Sequence, residues 1–94
     1  MLTYKAMYKI LDEGVHGEVL DFPGTITFAE TLENARQSLS AALVDMAETN
    51  LKNGKSLPQP NPKIIDAKSD LEEPIYLLVN ATSHIQVISD LATS

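Results

Sequence analysis

The chain has 94 residues, of which 44% are hydrophobic, so it is long enough for one compact core and too short for two. Its net charge is −6, from 13 acidic and 7 basic residues, and an acidic surface disfavours binding to the phosphate backbone of nucleic acids. It contains no cysteine, which excludes disulfides and thiolate metal sites and suits a reducing cytoplasm, the expected location. No apolar run approaches the roughly 20 residues that a membrane span needs, and we expect a soluble protein.

The first part of the chain predicts a meander of three strands. Hydrophobic and polar residues alternate over residues 3–11 and again over 15–20, the pattern of half-buried strands. Asp12-Glu13-Gly14 between them predicts a hairpin turn. The corner Asp21-Phe22-Pro23-Gly24 has the composition of a type I or type II turn, and a short third strand over 25–28 follows it.

One long helix follows the meander. Thr31 can cap its first turn through the side-chain hydroxyl, and Glu33 complements the positive end of the helix dipole. Gly54 is a suitable C-cap, and Pro58 prevents the helix from continuing. Apolar residues recur at helical spacing and predict the side that packs on the sheet: Leu32, Ala35, Leu39, Ala42, Leu43 and Met46.

The C-terminal third predicts a connector and a fourth strand. Residues 59–62 form a stiff, proline-rich segment, and 63–73 are interpreted as loop with at most one turn of helix. The apolar run over 75–79 predicts a strand that is either buried on both faces or placed beside an oligomer interface. A helical crossover from a meander favours a fourth strand parallel to the first. The tail, residues 83–94, is either a short helix or a further strand.

These elements predict an α+β fold in the order β-β-β-α-β, with the helix on one face of the sheet. We interpret residues 1–94 as a single domain with its core over 3–82. One helix cannot cover both faces of such a sheet, and edge strands need protection, so we expect a homodimer or a tetramer.

The sequence offers little for catalysis. His16 and His84 stand in no metal-ligand spacing. Asp12, Glu18 and Asp21 could bring carboxylates together for a Mg²⁺-dependent nuclease, but the fourth strand has no acid over 75–79. We therefore expect no enzyme, no cofactor and no metal, and we expect Asp21 to brace its turn through its own hydrogen bonds.

Several motifs resemble the HicB-like antitoxins over residues 4–62. The corner at 21–24 precedes a short strand, as in that family, and a segment ending in Thr31 opens a helix whose first turn is acidic and contains Ala35. A glycine followed by a Leu-Pro-x-Pro segment ends the helix, here Gly54 and Pro58. Leu20 and Ala29 depart from the family, which usually has proline and glycine at these positions.

The resemblance implies a truncated ribonuclease-H-like fold that has lost its nuclease acids. It also implies a protein that binds and masks a small basic mRNA-cleaving toxin of the HicA type. Direct binding to DNA is not expected, because no basic arm follows the fourth strand. Two alternatives are an orphan regulatory or scaffold domain without a toxin, and a residual metal-dependent nuclease. We expect the partner to contact polar residues of the second strand and the helix, namely His16, Glu18, Glu33, Asp45 and Glu48.

Overall fold

A computed structural model describes residues 1–79 and 85–88. The strands form one sheet in the order β3-β2-β1-β4-β5, in which every neighbouring pair is antiparallel. The α+β class is confirmed. Of the two alternatives for the tail, residues 85–88 form a strand, whereas 83–84 and 89–94 lie outside the described residues. The elements in chain order are β1 (Leu2–Leu11), β2 (Gly14–Val19), β3 (Ile26–Ala29), α1 (Leu32–Lys52), β4 (Leu71–Val79) and β5 (Ile85–Ile88).

The expected parallel arrangement of β4 and β1 is wrong. β4 lies next to β1 but runs antiparallel to it. The reason is the path of residues 53–70, which we call the connector. The hydroxyl of Tyr4 donates to the carbonyl of Pro58 at 2.7 Å, and the N–H of Ile10 donates to the Asp70 carboxylate at 2.7 Å. The connector thus follows β1 in the direction of β1, and β4 begins at the far end and returns.

The corner between β2 and β3 is a type II turn. The N–H of Thr25 donates to the carbonyl of Phe22 at 3.2 Å, and Gly24, the third residue of the turn, has a φ of +90°. That backbone conformation is strained for any residue with a Cβ, which explains the glycine. Phe22 is buried with its ring edge against Tyr4, at 5.3 Å between ring centroids. The corner therefore contributes to the core as well as turning the chain.

The predicted N-cap is confirmed, and Gly54 ends the helix as predicted, although the C-cap residue itself is Asn53. The hydroxyl oxygen of Thr31 accepts a hydrogen bond from the N–H of Asn34 at 3.1 Å. At the other end, Gly54 has a φ of +71° and donates to the carbonyl of Leu51, while Lys55 donates to the carbonyl of Asn50. This pair of bonds is a Schellman motif, which satisfies carbonyls that the last turn leaves free.

The core lies between α1 and one face of the sheet. Ala35, Leu39, Leu43 and Ala47 are the fully buried residues of the helix, at the spacing expected of one apolar side. Tyr8 packs close to the sheet because β2 has a glycine opposite it: a Cβ on Gly17 would lie 3.1 Å from the Tyr8 ring. Leucine side chains buried in this way each stabilise the fold by about 1.5–3 kcal/mol.

β4 is buried on one face only, so of the two alternatives for residues 75–79, burial on both faces is wrong, and a place beside an oligomer interface stays a prediction. Ile75 and Leu77 are buried, whereas Tyr76 and Leu78, whose side chains lie on the other face of the strand, are only half-buried. The side chains of Ile75 and Leu77 share the face that α1 covers, because these residues pair with Tyr4 and Leu2 of β1. Within the described ranges, no helix is both long enough and apolar enough to cross a membrane.

Candidate protein-binding surface

The sheet face opposite α1 is covered only in part. Nζ of Lys5 donates to the carbonyl of Pro62 at 3.0 Å, and Nζ of Lys9 lies 3.1 Å from the Asp66 carboxylate, so the connector packs on this face over β1. Met7, which lies between the two lysines on β1, is completely buried. Hydrogen bonds from the Lys68 backbone and from Lys9 hold the pKa of Asp66 below its ordinary value, so the contact is ionised at neutral pH.

Three large apolar side chains lie exposed on the uncovered part of this face. Leu11 of β1 is 45% exposed, and Ile26 and Phe28 of β3 are each 54% exposed. Gly14, which pairs with Leu11, has a φ of +152°, and a Cβ there would lie 2.8 Å from the Phe28 ring. The ring of Phe28 therefore lies over Gly14, toward Leu11. We call Leu11, Ile26 and Phe28 the open-face patch.

His16 and Glu18 lie beside the open-face patch on β2. They pair with Phe28 and Ile26 in the β2–β3 ladder, and alternate residues of a strand share a face. Nε2 of His16 is 3.6 Å from a carboxylate oxygen of Glu18, and both side chains are about a third exposed, at 28% and 34%. The structure thus places these two expected partner contacts at an exposed apolar surface.

Acidic residues lie at one end of the patch. Asp12 and Glu13 form the turn between β1 and β2, and Glu30 directly follows β3, whose last residue, Ala29, pairs with Val15 close to that turn. Among the described residues, no lysine or arginine is in ion-pair contact with Asp12, Glu13 or Glu30; the ion pairs of Lys5, Lys9 and Arg36 are with acids at positions 66–73. We call Asp12, Glu13 and Glu30 the acidic rim.

The three helical residues expected at the partner contact do not join this surface. Glu33, Asp45 and Glu48 lie on α1, which packs against the opposite face of the sheet. A partner bound at His16 and Glu18 would have to reach around the sheet to contact them. The expected set is therefore divided between two sides of the molecule, and the apolar side chains beside His16 were missed.

The carboxylates considered for a nuclease are kept apart. Asp12 precedes β2 and Asp21 follows it, so the two lie at opposite ends of this strand of 6 residues. Asp21 is 7% exposed, and its two oxygens accept the N–H of Lys5 at 2.8 Å and the N–H of Asn61 at 2.9 Å. Asp21 thus braces the corner against β1 and the connector, not against its own turn as expected. Over residues 1–79 and 85–88, no cluster of histidines and carboxylates is arranged to hold a metal ion.

A groove of about 710 Å³ lies between α1 and β4. At its wall, Nε and Nη2 of Arg36 donate to the two carboxylate oxygens of Glu73 at 2.8 and 2.9 Å, and these bonds raise the pKa of Arg36. Burial, and then the charge of Glu73, raise the pKa of Tyr8 to about 12, so its hydroxyl is neutral at physiological pH. The charges of Arg36 and Glu73 thus compensate each other at the wall of the groove.

A protein-family model described as UPF0150-like matches residues 3–58. The matched segment contains β1, β2, β3 and α1, together with the corner at 21–24 and both helix caps. A comparison with curated proteins gave no match. Since the family model covers more than half of the sequence, the chain belongs to the UPF0150-like family.

Proposed function

We propose that this chain is a non-catalytic protein-binding module that binds and masks a small basic mRNA-cleaving toxin of the HicA type, as a HicB-like antitoxin does. Membership of the UPF0150-like family is compatible with an antitoxin module. The observation that carries the proposal is the open-face patch with the acidic rim at its end: three exposed apolar side chains next to three acids without a basic partner among the described residues.

The composition of this surface is that of a protein interface. Contiguous exposed apolar side chains mark sites of interaction, and interfaces combine an apolar centre with a polar margin. Burying one leucine or phenylalanine side chain stabilises a complex by about 1.5–3 kcal/mol, so the open-face patch would supply affinity. The acidic rim would speed the approach of a basic partner and orient it.

Masking follows from the chemistry of the partner. A protein that cleaves mRNA must hold a phosphate backbone with basic side chains. An acidic rim attracts the same basic side chains, so binding here would compete with RNA for the toxin. The module itself then needs no catalytic group.

The test requires a small basic HicA-like protein, which is first sought in the gene beside this one. The two proteins should co-purify after co-expression, and adding the chain in equal amount should stop RNA cleavage by the toxin. Leu11→Lys should weaken binding at least tenfold, because about 1.4 kcal/mol corresponds to a factor of ten. Glu13→Lys should slow association and reduce its dependence on salt.

Asp45→Lys is the matched control, because it makes the same charge reversal on the exposed side of α1. It should leave both affinity and association rate unchanged. RNA cleavage that continues at saturating concentrations of the chain would contradict the proposal, as would an equal loss of binding in Asp45→Lys. A gene neighbourhood without a short basic open reading frame would favour the orphan regulatory or scaffold domain instead.

A further inference from the structure

β3 is the outer strand on one side of the sheet, and among the described residues no backbone group is paired with its outer edge. The N–H of Val19 donates to the carbonyl of Thr25 at 2.9 Å, so Thr25 directs its backbone toward β2, and Thr27, two residues on, does the same. Ile26 and Phe28 alternate with them and direct their N–H and C=O groups away from the sheet. These two residues also carry the exposed apolar side chains of β3.

At the other side of the sheet, β5 pairs with residues 76–79 of β4, and among the described residues the first half of β4 has no strand on its outer side. This part of β4 is protected in a way that β3 is not. The backbone of Lys5 is bonded to Asp21 and Leu20, on the side of β1 away from β4. Pro74, which stands opposite Lys5 in β4, therefore turns its nitrogen to the free side, where it offers no donor. Proline at such a position prevents pairing with another chain. The β3 segment, Ile26–Ala29, contains neither proline nor a charged residue.

We propose that β3 pairs with β3 of a second copy of this chain, antiparallel, about a two-fold axis that passes between the two Thr27 residues. In this register Ile26 of each copy stands opposite Phe28 of the other as a hydrogen-bonded pair, and every outward N–H and C=O of these residues finds a partner. Pairing of a β-branched with an aromatic side chain is favourable. Glu30 falls opposite Gly24, so the register does not place two acids face to face.

A second copy fits this edge because the edge is complementary to itself. A register shifted to place Phe28 opposite Phe28 would set Ile26 of each copy against Glu30 of the other and would lose both Ile–Phe pairs. The dimer joins two sheets into one and brings the two open-face patches together, with Leu11 of each copy at the outer ends. A strand of 4 residues makes a small interface, so the dimer should depend on protein concentration.

A single introduced thiol tests the register, since the chain has no cysteine of its own. Thr27 faces its counterpart as a non-hydrogen-bonded pair with a Cα separation of about 4.5 Å. Disulfides join residues whose Cα atoms are about 4.4–6.8 Å apart. Under mild oxidation, Thr27→Cys should convert to a disulfide-linked dimer. Ser38→Cys, exposed on α1, should remain mainly monomeric.

Sedimentation equilibrium tests the edge without oxidation. The mass of the unmodified chain should rise from monomer to dimer with concentration, while Ile26→Lys should stay monomeric. Leu11→Lys places the same charge on the same face but away from the edge, and it should still dimerise even where it abolishes toxin binding. The proposal is overturned by a monomer at every concentration, or by equal cross-linking of the two cysteine variants. The cysteine pair decides the question if circular dichroism shows that Ile26→Lys is unfolded.

Discussion

Replacing Asp21 with alanine removes the acceptor of two backbone N–H groups at once, those of Lys5 in β1 and Asn61 in the connector. Asp21 is 7% exposed, so water cannot fully replace the lost carboxylate. A hydrogen bond to a charged group contributes about 1.5–3 kcal/mol, and Asp21 accepts two of them. We expect Asp21→Ala to lower the free energy of unfolding by about 3–5 kcal/mol, a large fraction of the roughly 5–15 kcal/mol of a small domain.

Urea unfolding followed by circular dichroism measures this loss, and native-state hydrogen exchange locates it. The amides of Lys5 and Asn61 should lose protection, because both lose their acceptor. Asp45→Ala, which removes an exposed carboxylate on α1, should change stability by no more than about 0.5 kcal/mol. A cost below about 1 kcal/mol for Asp21→Ala, with both amides still protected, would refute the claim that this carboxylate holds the connector to the corner.

Two further predictions concern the core. The pKa of Tyr8 is 10.0 in an unfolded chain and is raised to about 12 in the fold, so deprotonation of the hydroxyl favours unfolding. The resulting contribution to stability is complete below pH 10 and is lost as the pH rises toward 12. In alkaline unfolding experiments the free energy of unfolding should fall by about 3 kcal/mol, and Tyr8→Phe should remove this part of the pH dependence. If the free energy of unfolding of Tyr8→Phe falls with pH as steeply as that of the unmodified chain, the pH dependence does not come from Tyr8. Leu39→Ala should cost about 2–5 kcal/mol in urea unfolding, because Leu39 is fully buried, whereas its exposed neighbour Ser38→Ala should be near neutral. Equal effects of the Leu39 and Ser38 substitutions would place the core elsewhere.

The features that the sequence predicted correctly depend on local signals. The cap at Thr31 and the end of α1 at Gly54 are set by side chains and backbone angles within one helical turn. The type II turn at Pro23-Gly24 is likewise contained within four residues. Alternation of apolar and polar residues located β1 and β2, because it reports directly on which side of a strand is buried.

The direction of β4 could not be predicted in this way. It depends on the path of the connector, which is fixed by contacts between distant parts of the chain, such as Tyr4 with Pro58 and Asp21 with Asn61. The start of β4 was missed for a similar reason. The composition of residues 71–74, Leu-Glu-Glu-Pro, is typical of a loop, yet this segment pairs with β1. Glu73 accepts hydrogen bonds from Arg36, and the nitrogen of Pro74 lies on the side away from β1, where the pairing needs no donor.

The position of the candidate surface could not be predicted from local sequence signals either. Ile26 and Phe28 alternate with polar residues and predict a strand, but the sequence does not say which of its faces remains uncovered. That depends on where the connector stops covering the sheet. His16 and Glu18 were identified as surface residues of β2, whereas Glu33, Asp45 and Glu48 were grouped with them only by charge.

The placement of β4 beside β1 also determines the order in which the protein can fold. β1 is the central strand, and its first neighbour, β2, follows after a turn of two residues, whereas its second neighbour, β4, follows only after α1 and the connector. Local pairings form quickly, and pairings between distant segments form late because closing a long loop costs entropy. During synthesis β1 therefore has one open edge until residues 71–77 leave the ribosome. In that interval a nascent chain could pair wrongly with its neighbours, and the contacts of the connector with Tyr4 and Asp21 bring β4 to that edge.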